Sequence, residues 1–197
     1  KYSERIKDHE KDDFEKSLKI IGKQIKQIEN LVNEFSDFAR MPKPIFKRNN
    51  IVTIVNDNMN LLKELDKSIK INFIHNKSEI FLISDNEQLS RVFLNLIKNS
   101  IESIQEKTKK SNVIIGNINL ELIYSQDSVV FTITDNGIGF LKINDNIKSV
   151  LNPYFTTKEK GTGLGLAIVN KIINDHDGII NFIVINDGAK IEIIFNK

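Results

Sequence analysis

Asp135-Asn136-Gly137-Ile138-Gly139 and, after a polar stretch, Gly161-Thr162-Gly163-Leu164-Gly165-Leu166 decide how this chain is read, with Asn95 and Asn99 upstream of both. A lone glycine pair serves ordinary turns, but an Asn pair, an Asp-x-Gly-x-Gly run and a second glycine box in this order describe a nucleotide pocket. The apolar run Val129-Val130-Phe131-Thr132-Ile133-Thr134 leads into Asp135 as a strand. It places a buried carboxylate where it can accept a hydrogen bond from the exocyclic amine of adenine. Base choice then rests on Asp135. Gly137 and Gly139 let the backbone come close to the purine, where a Cβ would collide. Gly161, Gly163 and Gly165 precede the helical run Leu166 to His176. Their N–H groups can line a helix start, where unpaired donors and the helix dipole favour phosphate. The expected ligand is ATP, with its phosphates near residues 161–166.

Leu89, Val92, Phe93, Leu96, Ile97, Ile101 and Ile104 recur at helical spacing, and Arg91, Asn95, Asn99 and Glu102 fall on another face of the same helix. Asn95 and Asn99 are one turn apart and point the same way. An Asn carbonyl is a neutral oxygen ligand suited to Mg²⁺, which keeps several waters and takes further ligands from phosphate oxygens. On a helix alone such a pair reads as solvated polar surface; beside two glycine boxes it reads as the third wall of the pocket.

The order Asn95-Leu96-Ile97-Lys98-Asn99-Ser100, Asp135 to Gly139, Pro153-Tyr154-Phe155-Thr156-Thr157-Lys158 and Gly161 to Leu166 resembles the N, G1, F and G2 boxes of sensor histidine kinases. The likeness covers residues 45–197. It implies an α+β fold of the Bergerat (GHKL) type, an α/β sandwich with a mixed sheet layered on helices, shared with gyrase, Hsp90 and MutL ATPases. By this resemblance Asn99 is the Mg²⁺ ligand, Asp135 the adenine contact and residues 140–160 a mobile lid over ATP. Lys158 is a lid residue that approaches the phosphates, and Asn95, Gly137, Gly139, Gly161, Gly163, Gly165 and Leu166 complete the nucleotide site.

Two departures narrow the subclass. Where the related ATPases carry a Glu that activates water, four residues before the metal Asn, this chain has Asn95, which cannot act as a base at neutral pH. Slow hydrolysis is the expectation. Many histidine kinases also place a Lys three residues after the metal Asn, and here that position is Glu102. Lys98 and Arg91 are the alternatives for a phosphate contact, and the sequence leaves the choice open.

The N-terminal part has a different pattern. Phe14, Leu18, Ile21, Ile25, Ile28, Val32 and Phe35 alternate steps of four and three, the heptad seam of a coiled-coil-like helix that packs along another helix. Arg40-Met41-Pro42-Lys43-Pro44 ends it, because proline disfavours α geometry at Met41 and removes a donor. Two domains are therefore expected, a stem over 1–44 and an ATP-binding domain over 45–197. Glu34 to Pro44 resembles the end of the second dimerisation helix in histidine kinases of the nitrogen-regulatory type, most like the NtrY group. In that family the phosphoacceptor His lies on the first dimerisation helix, in a box with a following Pro, and no such box is present in these residues. His9-Glu10-Lys11-Asp12 begins like one but is read as a solvated connection between two helices. His75 is read as a strand residue, and His176 as a residue before a glycine cap at Gly178, favourable to the helix dipole when charged.

The resemblance implies a catalytic part that passes the ATP γ-phosphate to a histidine lying elsewhere, for relay to the receiver domain of a response regulator, with a homodimer formed through the stem. A non-catalytic ATP-binding or dimerisation module, a GHKL-type ATPase and a serine kinase of the anti-sigma type remain as alternatives. With 197 residues, 40% hydrophobic and 27% charged, the chain can bury one core plus a helical appendage. Net charge +2 gives no argument for nucleic acid. Zero cysteines exclude disulfides and thiolate metal sites. No run of about 18 apolar residues is present, so no membrane contact is expected, and the fragment is expected in the cytoplasm. The start at Lys1 reads as a fragment of a parent anchored in the inner membrane. Helices are expected over 51–65 and 89–104, strands over 70–75 and 79–83, and hairpins over 113–134 and 179–195, with Asp85 capping the Asn-bearing helix.

Overall fold

Helix α1 (Tyr2–Ala39) contains the whole heptad seam. The computed structural model describes residues 2–64, 66–110, 115–140, 147–158 and 161–196, in two compact units, Lys1–Pro42 and Lys43–Lys197. In the first unit every seam residue from Phe14 to Phe35 is 48–64% exposed. A lone amphipathic helix with this much open apolar surface draws its stability from packing against a partner. The helix runs unbroken through residues 9–12, so the connection expected there is absent; Glu and Lys are good helix formers and no Gly or Pro interrupts them. The His9 side chain lies outside the described residues.

The second unit begins with a short strand that no periodicity announced. Strand β1 (Lys47–Asn50) pairs antiparallel with β3 (Phe81–Ser84), and Arg48 stacks 3.5 Å above the Phe81 ring centre. Asn50 ends β1 and caps helix α2 (Ile51–Lys63): its Oδ1 accepts from Val52 N and Ile80 N, each at 3.2 Å. The main sheet has the order β2 (Ile69–His75), β4 (Gly116–Tyr124), β5 (Ser128–Asp135), β7 (Ala189–Asn196), β6 (Gly178–Val184). β2 runs parallel to β4, and the other pairs are antiparallel. The sheet is therefore mixed, as the resemblance implied.

Period-two burial along β4 and β7 turns Ile118, Leu120, Leu122, Ile191, Ile193 and Phe195 to the core. Helices α2, α3 (Asn86–Lys110) and α4 (Gly165–Asp175) cover that face. Phe93 of α3 meets Phe131 of β5 with ring centroids 4.8 Å apart. Buried Asn58 bridges two helices: its Nδ2 donates to Ile54 O at 2.7 Å and its Oδ1 accepts from Ser90 Oγ at 2.9 Å. Within the expected lid, a short 3₁₀ helix spans Ile147–Leu151, while residues 141–146, 159 and 160 lie outside the described ones.

The end of α4 corrects one expectation. Asp177, not Gly178, takes the left-handed position, at φ 53°, which a short polar side chain tolerates. Gly178 instead opens β6 where a Cβ would press on Ile173 and on Ile194 O at 3.0–3.1 Å. His176 Nε2 accepts from Asp85 N at 3.0 Å and its Nδ1 faces Ile172 O at 2.8 Å. Through these two contacts His176 joins α4 to the start of α3.

Candidate nucleotide site

Asp135 stands at the end of β5, 6% exposed, where the sheet delivers it to the C-terminal half of α3. Its Oδ1 accepts from Gly137 N at 2.8 Å and its Oδ2 from Ser100 Oγ at 2.8 Å. Burial pushes the Asp135 carboxyl above the ordinary carboxylate range, against donors from Gly137, Ser100 and the Ala189 backbone and against the nearby Lys107 charge. An ionised carboxylate has about four acceptor positions, so these three donors leave it room for an incoming amine.

The loop after Asp135 is held from three sides. Asn136 Oδ1 accepts from Asn117 N at 2.8 Å, and Ser103 Oγ accepts from Ile138 N at 3.0 Å. Lys107 Nζ donates to Asn136 O at 2.8 Å and pairs with Asp187. The space a Cβ would take at Gly137 is filled by Ser103, and at Gly139, φ 73°, by the Gly188 carbonyl. Both glycines are therefore demanded by protein neighbours, a different reason from the purine contact expected of them. Ser100, Ser103 and Lys107 step by three and four along one face of α3 and could have been read from that spacing as a polar row, though not for their partners. The contribution of Asp187 and Gly188 could not, because only the sheet folds the β6–β7 turn against the loop.

At the other end of the pocket, α4 begins at Gly165 with Leu164 as its N-cap, and no side chain caps it. The first N–H groups of the helix have no intrahelical acceptor. A methyl group at Gly165 would rest 3.4 Å from Asn95 Oδ1 and 3.9 Å from Asn99 Nδ2, so the helix start and the Asn face of α3 stand against each other. Gly161 spends its N–H on Lys158 O at 3.2 Å, and Gly163 O accepts from Tyr154 N at 3.1 Å. Gly163, φ 71°, and Tyr154, φ 68°, are both left-handed where they meet, and a Cβ at Gly163 would strike the Tyr154 backbone. The donors open to an anion thus lie at Gly165 and Leu166 rather than at Gly161.

The cation beside Asn99 is Lys158: its Nζ lies 2.6 Å from Glu102 Oε2 and 3.4 Å from Asn99 Oδ1. Lys98 is exposed to solvent. Among the described residues no group of three His, Cys, Asp or Glu could hold a metal. The donors Asn99 and Glu102 suit a hard cation that draws its other ligands from water and phosphate. Among the described residues, too, no helix is long and apolar enough to cross a membrane.

A buried carboxylate at a strand end, facing a helix that carries two asparagines and an uncapped glycine-rich helix start, defines an ATP-binding domain. The chain belongs to the histidine kinase-, DNA gyrase B- and HSP90-like ATPase family, whose model matches residues 84–196. Among its relatives, the NtrY-like sensor histidine kinase of Rickettsia bellii is 34% identical over the whole chain, which spans 31% of that relative. The catalytic domain of the histidine kinase ThkA aligns with a TM-score of 0.65 at 23% identity, covering 78% of this chain and 96% of that one. ThkA in complex with the response regulator TrrA aligns at 0.69 and 18% identity, covering 90% and 49%. Full-length ShkA in complex with AMPPNP aligns at 0.68 and 20% identity, covering 84% and 35%. The α+β fold is that of a histidine kinase catalytic domain.

Proposed function

We propose that residues 45–197 are the ATP-binding catalytic domain, and residues 1–44 part of the dimerisation stem, of a two-component sensor histidine kinase. The observation that carries this reading is Asp135, a buried carboxylate with a free acceptor position, held by Ser100 of the helix whose Asn95 and Asn99 stand against the glycine-rich start of α4. Asp135 takes the adenine amine, and the loop through Gly137 and Gly139 holds it in place. Leu166 and the helix start at Gly165 receive the phosphates, with Gly161 and Gly163 shaping the turn before them. Asn99 is the Mg²⁺ ligand beside Asn95, and Lys158 the lid cation for phosphate. Bound there, Mg²⁺ supplies neutralisation of phosphate charge.

Asn95 lacks the basicity to activate water, so the pocket is built to hold ATP for another nucleophile. An imidazole nitrogen forms the new bond to the γ-phosphorus, the bond from that phosphorus to the β–γ bridging oxygen breaks, and ADP leaves with the electron pair. Neither histidine whose side chain is described suits that role. His75 Nδ1 is engaged with Lys77 O at 2.8 Å, and His176 is bonded on both ring nitrogens. The acceptor is a histidine on a first dimerisation helix, and the phosphate then passes to a response-regulator aspartate. The exposed seam of α1 supports a homodimer through the stem, and the ThkA and ShkA complexes support the regulator and nucleotide assignments. The parent is a membrane-anchored sensor with this part in the cytoplasm, a reading supported by the NtrY-like relatives.

Incubation with γ-labelled ATP and a separate segment carrying a first dimerisation helix tests the proposal. Acid-labile phosphate is expected on the added segment and not on this chain. Stoichiometric label on His9, His75 or His176 refutes it, and ATP binding without any transfer points instead to a non-catalytic module.

A further inference from the structure

Lys158 stands where two α3 oxygens converge. Asn99 and Glu102 are three residues apart on α3, hence on one face, and the Lys158 ammonium lies between Glu102 Oε2 at 2.6 Å and Asn99 Oδ1 at 3.4 Å. The lysine comes from the segment 153–158, whose backbone is tied to the glycine box by Tyr154 N to Gly163 O and by Gly161 N to Lys158 O. One ion pair thus joins the lid segment, the glycine box and the Asn-bearing helix. The pair is 30% exposed at Lys158 and 39% at Glu102, and an ion pair this open to water exchanges partners at little cost.

An ammonium and a divalent cation are both hard cations seeking oxygen, and a single Asn carbonyl and carboxylate cannot serve both without placing two positive charges side by side. We propose that Asn99 and Glu102 form one cation seat, occupied in turn by the Lys158 ammonium and by the divalent cation that accompanies ATP. When the divalent cation takes the seat, Lys158 is released from α3 toward the phosphates, and the lid segment is released with it. Glu102 thereby turns the expected lysine position of this helix into an acceptor, and the lysine is supplied from the lid. The proposal rests on the reading of Asn99 as the metal ligand.

Mn²⁺ alone, titrated into the full chain and followed by electron paramagnetic resonance, tests the seat without nucleotide. Lys158→Met is expected to bind Mn²⁺ about two- to five-fold more tightly than wild type, the range an open ion pair corresponds to. Lys158→Arg should stay at the wild-type level, and Glu102→Gln in the Lys158→Met background should erase the gain. In a parallel titration with a fluorescent ATP analogue, the Mg²⁺ concentration for half-maximal binding should fall in Lys158→Met. Identical Mn²⁺ curves for wild type and Lys158→Met, with both proteins folded by circular dichroism, overturn the seat. A wild-type chain that binds no ATP analogue at any Mg²⁺ concentration overturns the nucleotide reading instead, so the two failures are distinct.

Discussion

Replacing Asp135 by Asn keeps the side-chain volume and removes the charge that the pocket is built around. The carboxylate serves Gly137 N and Ser100 Oγ, each at 2.8 Å, and the Ala189 backbone. An amide has one acceptor oxygen, and its NH₂ must face a donor, either Gly137 N–H or the adenine amine. One charge-assisted hydrogen bond to adenine is lost, about 1.5–3 kcal/mol, which lowers ATP affinity by roughly 10- to 150-fold. The fold persists, because the buried charge disfavoured the native state.

Its pH dependence follows from the direction of the Asp135 shift. Burial raises the native carboxyl above the reference value of 3.8, so the native protein binds a proton that the unfolded chain releases. Wild-type stability relative to Asp135→Asn is therefore greatest below that reference and declines as pH rises through the raised native value. Calorimetric titration with an ATP analogue, and urea denaturation of both proteins from acid to neutral pH, measure the two effects. Affinity within twofold of wild type, or a wild-type stability that rises with pH relative to Asp135→Asn, refutes the reasoning.

Asp85→Ala removes the acceptor of Gln88 N at 3.0 Å and Ile45 N at 2.7 Å, and urea denaturation should show a loss of about 0.5–2 kcal/mol, typical of a helix cap. At Asp85 burial pulls upward, but the backbone donors of Gln88, Ile45 and Glu87 outweigh it and lower the carboxyl below 3.8; its contribution is present above that value and disappears as pH falls through the lowered native one. Ser103→Ala strands Ile138 N–H, and denaturation should register about 1–3 kcal/mol with weaker ATP binding. Gly139→Ala, at φ 73° against Gly188, should cost at least about 1–2 kcal/mol from backbone conformation alone. Ile25→Lys on the α1 seam should shift the chain toward monomer in sedimentation velocity, while ATP affinity is retained.

Much of the second unit was legible in the residues. The apolar positions Leu89 to Ile104 named the buried face of α3, and all seven are at most 5% exposed. The hairpins around residues 125–127 and 186–188 formed as their turn residues indicated. Strand β1 was not legible, because Lys47-Arg48-Asn49-Asn50 has no apolar alternation and forms only through its pairing with β3. The continuity of α1 was not legible, because a dense charge run reads as loop when the helix formers within it are discounted.

By itself, the sequence determined the kind of pocket: Asp135 at a strand end, Asn95 and Asn99 one helical turn apart, and glycines before α4 are local patterns set by backbone geometry and helical period. Only the tertiary structure decided what holds that pocket in shape. Ser100 and Ser103 meet Asp135 and Ile138 at a separation of 35 residues, Lys107 reaches Asp187 across 80, and Lys158 reaches Glu102 across 56. Such partners carry no local signature, because a hydroxyl, an ammonium or a turn carbonyl gains its role only when packing of the apolar faces brings it within hydrogen-bond reach.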